Sequence, residues 1–206
     1  SEKNGVPGLF DAIVKGKVKT SSTPGLEFIG DKEFYMYVEK LVKYYLNEEP
    51  ILRNLPTRTL GLKSNPNLPD LELFKQMAAE YWKYVLKPVD GRGGDGIMIG
   101  PKENPESAAK ILEQIKKRFA WYIEQEYTPL SEGEGYIMDL RYLMDVGHED
   151  NLAPMTCSGR AISRDGNGKV NLSISGRETT VWIIDPKKPF VSPIKNCPYL
   201  LKKKKP

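Results

Sequence analysis

Tyr84-Val85-Leu86-Lys87-Pro88-Val89-Asp90-Gly91-Arg92-Gly93-Gly94-Asp95-Gly96-Ile97-Met98-Ile99-Gly100 is the stretch whose reading decides the fold. Two apolar runs flank a loop with four glycines in the six positions 91 to 96. Gly91, Gly93 and Gly96 satisfy G-x-G-x-x-G, but a dinucleotide-binding fold passes from strand through loop into helix. Here Ile97-Met98-Ile99 follows, so the context is strand, loop, strand. A P-loop would end in Gly-Lys-Ser/Thr, and this loop does not. A protein kinase carries its lysine on the strand after the loop. Lys87 stands on the strand before it, and no His-Arg-Asp or Asp-Phe-Gly follows.

The loop's chemistry still points to phosphate. Glycines let a backbone fold over a ligand and aim N–H groups at it. A lysine with apolar neighbours needs a counter-charge to stay both buried and charged, and a triphosphate supplies one. The plainer alternative is a tight hairpin with Lys87 reaching out to solvent.

Working outward, Phe34, Val38, Leu41, Val42 and Tyr45 repeat at three- and four-residue spacing after Asp31, which predicts a helix stopped by Pro50. Gly16 to Ser21 reads as a short strand, and residues 53 to 69, with Pro56, Gly61, Pro66 and Pro69, read as a connection. Asp70 is positioned to cap a helix carrying Leu71, Phe74, Met77, Ala78 and Tyr81. Asn104, Pro105 and Glu106 form a second helix start, with Ala108, Ile111, Leu112, Ile115 and Phe119 as its apolar face. From Trp121 the pattern turns to β, with strands expected at 121–127, 136–146, 155–163, 169–175 and 179–184. Asp165-Gly166-Asn167-Gly168 is a hairpin signal between the third and fourth of these.

The 206 residues carry 31 Lys plus Arg against 27 Asp plus Glu, net +4, and four of the positive charges are Lys202 to Lys205. Without that tail the balance is neutral, so no basic face of the kind that reads nucleic-acid backbone is called for, and no specific nucleic-acid partner is expected. Apolar residues at 39% suffice for a real core. The two cysteines, Cys157 and Cys197, and the single histidine, His148, form no zinc-ligand spacing. No apolar run approaches the ~18 residues of a membrane span, and Ser1-Glu2-Lys3-Asn4-Gly5 has no signal-peptide pattern. The expected setting is a reducing cytoplasm.

Beyond the loop, Ile123-Glu124-Gln125-Glu126-Tyr127 alternates apolar and polar, and Asp139 and Arg141 share one face of a strand. A carboxylate beside a guanidinium is either a structural ion pair or a metal ligand next to a phosphate clamp. Asn171 and Ser173 share a strand face after Arg160 on the preceding arm. Asp139 and Asn171 are oxygen donors of the type Mg²⁺ takes. The structural alternative pairs Asp139 with Arg141 or with Arg160.

Taken in order, these motifs resemble the circularly permuted ATP-grasp proteins of the bacterial type related to glutathionylspermidine synthase. Gly5-Val6-Pro7-Gly8-Leu9 is similar to that family's glycine-proline segment, and Tyr44-Tyr45-Leu46-Asn47-Glu48-Glu49-Pro50-Ile51-Leu52 to its "YYLGEEPIL" stretch. Leu86 to Gly96 resembles its phosphate loop, Gln125-Glu126 its adenine-side hinge, and Asp139-Leu140-Arg141 its "DLR" motif. Val170-Asn171-Leu172-Ser173 resembles the start of "VNSSQGG", and Trp182 the close of "TWVL". The chain departs from the pattern at Ile174-Ser175-Gly176-Arg177, where the glycine pair is mostly lost, and at Thr179-Thr180, which replace Lys-Asp.

The resemblance implies an α+β fold: a mostly antiparallel, ATP-grasp-like sheet with flanking helices and the glycine-rich hairpin over the nucleotide. It divides the chain into a helical and irregular part over 1–83, a nucleotide-binding core over 84–184 and an irregular Lys-rich tail over 185–206. It implies the C-terminal portion of an ADP-forming carboxylate–amine ligase that works through an acyl phosphate. ATP and Mg²⁺ are the cofactors implied, and the partners are a small-molecule or peptide carboxylate and an amine, with an N-terminal half supplied in trans as one arrangement. Lys87, Gly91, Gly93, Gly94, Gly96, Gln125 and Glu126 would hold ATP, Asp139 and Asn171 the metal, and Arg141 and Arg160 the transferring group. Two other classes compete: a non-catalytic ATP-binding or regulatory module that has lost the acceptor site, and an interaction domain whose lysine tail touches an anionic partner.

Overall fold

The computed structural model describes residues 6–20, 25, 27–91, 94–144, 154–166, 168–172, 176–181 and 187. They fall into two compact units, one formed by residues 1–130 with 165–169 and the other by 131–164 with 170–206.

The first unit opens with a short helix, α1 (Leu9–Val14), none of whose residues is buried. The expected strand from Gly16 is turn and irregular chain through Thr20. The periodic stretch after Asp31 is helical but not uniform: a 3₁₀ turn at Phe34–Tyr37, then α2 (Val38–Leu41), then a π turn at Val42–Leu46. No residue of this run is buried, and Tyr44 and Tyr45 are 80% and 75% exposed. Among the described residues its apolar stripe is only partly covered, with Phe28 edge-on against Phe34 at 5.5 Å between ring centroids, where an amphipathic helix normally buries its apolar face.

Next comes β1 (Thr57–Thr59), a strand inside the stretch that reads as a connection. Pro56 and Gly61 punctuate it so closely that three residues of strand leave no periodic signal. α3 (Leu71–Ala79) follows, capped by Asp70, whose side chain accepts the Leu73 N–H at 3.0 Å. Then come β2 (Tyr84–Pro88), β3 (Met98–Ile99) and α4 (Pro105–Lys116). Asn104 caps α4 by accepting the Ser107 N–H at 2.8 Å, with Pro105 in the first turn. Such caps each contribute about 1 kcal/mol. β4 (Tyr122–Glu126) completes a four-stranded antiparallel sheet in the order β1-β4-β2-β3.

The pleat of β2 sorts its residues between two faces. Tyr84 and Leu86 enter the main core with Leu73, Phe74 and Met77 of α3 and Leu112 and Ile115 of α4. Val85 and Lys87 lie on the other face, opposite Gln125 and Ile123 of β4. Leu86 is 1% exposed, and its burial is worth roughly 1.5–3 kcal/mol.

The second unit is an antiparallel sheet of β5 (Ser131–Gly133), β6 (Tyr136–Met144), β7 (Pro154–Ser163) and β8 (Arg177–Thr179), in that order. Ile137, Ile162 and Val170 form its small buried cluster. Asp165 to Gly168 does follow β7, but the expected strand from 169 is absent through Leu172, and β7 pairs instead with β8 on the side away from β6. Both sheets are antiparallel and helices pack on the first, so the architecture is α+β. Among the described residues no helix is long and apolar enough to cross a membrane.

Gly100 is where the first unit tolerates least. A Cβ there would sit 1.7 Å from the Tyr81 carbonyl oxygen and 2.8 Å from that of Tyr84. Both obstacles are backbone, so neither can rotate away. Gly100→Ala is expected to cost about 3 kcal/mol, read in thermal unfolding as a fall of roughly 10 °C. An unchanged melting temperature would show that the 81–84 backbone is not held where it lies.

Candidate functional site

β2 delivers Lys87 to the sheet face opposite the helices, and the glycine loop begins directly beyond Pro88. The loop folds tightly onto that proline. A Cβ on Gly91 would meet the Pro88 ring at 2.6 Å, and one on Gly96 would meet it at 3.1 Å and the Tyr122 hydroxyl at 3.3 Å. Gly94 and Gly96 also have φ of +86° and +69°, the left-handed region that glycine enters without strain. Gly93 lies outside the described residues.

The Lys87 ammonium donates to Oε1 of Gln125 at 2.5 Å. Gln125 is 7% exposed, and its Nε2 donates to Oγ1 of Thr57 at 2.9 Å. Lys32 approaches from the segment before the helical run. Its N–H donates to the Val89 carbonyl at 3.0 Å and its ammonium donates to the Gly91 carbonyl. Burial lowers the pKa of Lys87, and the positive charge of Lys32 lowers it further. A half-buried ammonium held by a neutral amide, with a second cation nearby, is a centre that an anion relieves. The donor set therefore fits phosphate oxygens. Sequence reasoning singled out Lys87 and Gln125 but passed over Thr57 and Lys32.

Glu126 follows Gln125 on β4 and so belongs to the other face. With Glu124, Trp82, Tyr84 and Tyr127 it lines an open groove of about 570 Å³. Glu124 is 4% exposed and accepts from Arg58 Nε at 2.7 Å. Burial raises its pKa, and Arg58 pulls it back only in part.

The remaining expected site residues belong to the second unit. Asp139 on β6 lies directly opposite Arg160 on β7. The guanidinium takes both carboxylate oxygens in a fork, Nε on Oδ1 at 2.9 Å and Nη2 on Oδ2. The Arg160 pKa is raised by that carboxylate. Arg141 shares the Asp139 face, is exposed, and makes no ion pair among the described residues. Asn171 is not on a strand, contrary to expectation. Its carbonyl accepts the Gly176 N–H at 2.8 Å, closing a tight turn, and Ser173 lies outside the described residues. Both oxygens of Asp139 accept from Arg160, so the carboxylate would have to share or give up that fork to hold magnesium with Asn171. No group of three His, Cys, Asp or Glu suited to a metal exists among the described residues.

The lowered Lys87 pKa has a measurable sign. The unfolded chain keeps this proton up to about 10.5 while the folded chain releases it earlier. Between the two values the unfolded state binds more protons, so stability rises with pH. Lys87→Met should remove that rise and increase the melting temperature of the ligand-free protein at neutral pH. A lower melting temperature for Lys87→Met would mean that the ammonium is stabilised where it sits.

Known proteins resemble the chain over most of its length. The family model for circularly permuted ATP-grasp type 2 matches residues 1–152. A protein of Frankia alni named "Putative glutamate--cysteine ligase 2-3" is 33% identical over 185 residues, which are 86% of this chain and 20% of that protein. An uncharacterized protein of Synechocystis is 31% identical over 87% of this chain and 37% of its own length. An uncharacterized protein of Mycobacterium tuberculosis is 30% identical over 89% and 33% respectively. The chain thus spans between a fifth and two fifths of these relatives. On the match over residues 1–152, the chain belongs to the circularly permuted ATP-grasp type 2 family.

Proposed function

We propose that this chain is the ATP-binding portion of an ADP-forming carboxylate–amine ligase. The observation that carries the reading is Lys87: an ammonium with its pKa lowered by burial and by Lys32, set at the mouth of a glycine loop. Triphosphate oxygens would lie against Lys87 and Lys32 and near the N–H groups of Gly91, Gly94 and Gly96. The resemblance assigns Gln125 and Glu126 to the adenine side, and of the two only Gln125 shares the sheet face of Lys87. In the reaction a carboxylate oxygen attacks the γ-phosphorus and the bond to the β–γ bridging oxygen breaks, releasing ADP. An amine then attacks the acyl phosphate carbon, loses a proton and expels phosphate, leaving an amide. No protein nucleophile is needed, so the chain's work is positioning and charge neutralisation. Arg141 is exposed and makes no ion pair among the described residues, whereas Arg160 is committed to Asp139.

ATP-grasp enzymes in general use ATP with Mg²⁺. Magnesium would supply charge neutralisation at the phosphates, and the Asp139 carboxylate assigned to it by the resemblance is held by Arg160 in this structure. The carboxylate and amine substrates, and a further polypeptide that completes the longer architecture of the relatives, belong to the proposal as well. The fork also favours a second reading, a module that binds ATP without turning it over.

Lys87→Ala is expected to weaken ATP binding by about 1.5–3 kcal/mol, the worth of a charged hydrogen bond, with Lys32→Ala acting in the same direction. Calorimetric titration of folded variants decides this, and unchanged affinity in Lys87→Ala would remove the phosphate site.

The two readings separate on ADP release with candidate amino acids and polyamines, and on titration of ATP with and without Mg²⁺ against wild type and Asp139→Asn. Amine-dependent ADP release supports the ligase. ATP binding with no ADP release under any of these conditions supports the module.

A further inference from the structure

Three hydrogen bonds run in series beneath the phosphate-facing ammonium. Thr57 donates its hydroxyl proton to the Leu55 carbonyl at 2.8 Å. A hydroxyl has one proton, so Thr57 Oγ1 can meet Gln125 only as an acceptor. The Gln125 side chain accordingly presents Nε2 to Thr57 at 2.9 Å and is left with Oε1 toward Lys87 at 2.5 Å. Register enforces the meeting, because Thr57 and Gln125 are direct cross-strand partners. Gln125 is 7% exposed, so water is poorly placed to substitute for either neighbour.

A primary amide is close to symmetric in shape, and its two ends differ only in hydrogen-bonding sign. Turned over, it would aim an N–H₂ at the Lys87 ammonium, donor against donor. Nothing in Gln125 itself forbids that orientation. Two neighbours oppose it together: the Lys87 ammonium, which can only donate, and the Thr57 hydroxyl, whose proton is already on the Leu55 carbonyl.

From this geometry we infer that Thr57 is a positioning residue for ATP: it fixes the orientation of the Gln125 amide, which in turn holds the Lys87 ammonium ready for the phosphates. The inference rests on Lys87 being a phosphate ligand, and it adds a residue on β1 that touches neither the loop nor, by this account, the nucleotide. Thr57 acts through the sign of one hydrogen bond, so a hydroxyl is required and the methyl group is incidental.

The test measures ATP dissociation constants by calorimetry for wild type, Thr57→Val, Thr57→Ser and Lys87→Ala, with the melting temperature of each. The titration midpoint of the Lys87 ammonium is followed by NMR in the ligand-free protein. Thr57→Val keeps the side-chain shape and removes the acceptor; about a fivefold to tenfold loss of ATP affinity is expected, from the loss of one hydrogen bond. The Lys87 midpoint should fall in the same variant. Thr57→Ser should restore both, whereas a purely structural role for the methyl group would leave Thr57→Ser as impaired as Thr57→Val. If folded Thr57→Val binds ATP as wild type does, or if its Lys87 midpoint does not move, the inference is overturned while the phosphate site stands. If Lys87→Ala itself binds ATP normally, the site is lost and the inference with it.

Discussion

The register of β2 against β4 is the constraint on which the rest of the first unit depends. Val85 lies opposite Gln125, and Lys87 opposite Ile123. The side-chain period of a strand is two, so a slip of one residue would carry Leu86 out of the core and push Lys87 into it. The two consequences reinforce each other. Leu86 among the side chains of α3 and α4 holds the register by burial, and the register alone brings an ammonium to the opposite face beside Gln125. The stability of one face of the sheet thereby guarantees the chemistry of the other.

Much of the fold was legible because its signals are local. Asp70 and Asn104 announce their helices through caps that close within three residues. β2, β4, β6 and β7 are long enough to show their alternation. The failures share a different cause. β1 is only three residues long and owes its existence to pairing with β4, more than sixty residues away, which no local window contains. The stretch after Asp31 has helical spacing, yet its turns alternate between 3₁₀, α and π, and no residue of the run is fully buried. Spacing reports what a segment can bury and is silent on what is there to cover it.

The candidate site divides along the same line. Lys87 and the loop glycines are contiguous and could be read as a motif. Thr57 and Lys32 reach Lys87's surroundings only through strand pairing and a return of the chain, so they carried no signal at the loop itself. Asp139 shows the converse. Its residue type allowed a metal ligand or an ion pair, and its partner was settled by the cross-strand position of Arg160, twenty-one residues on. A side chain's type lists its options, and tertiary register selects among them.

The lowered pKa of Lys87 has a chemical consequence apart from binding. An amine is nucleophilic only in its neutral form, and burial together with the nearby Lys32 increases that fraction for Lys87. Acylating and carbamylating reagents, which discriminate among lysines by basicity as well as by access, therefore meet one amine in the glycine-loop region that is more reactive than its partial burial alone would suggest.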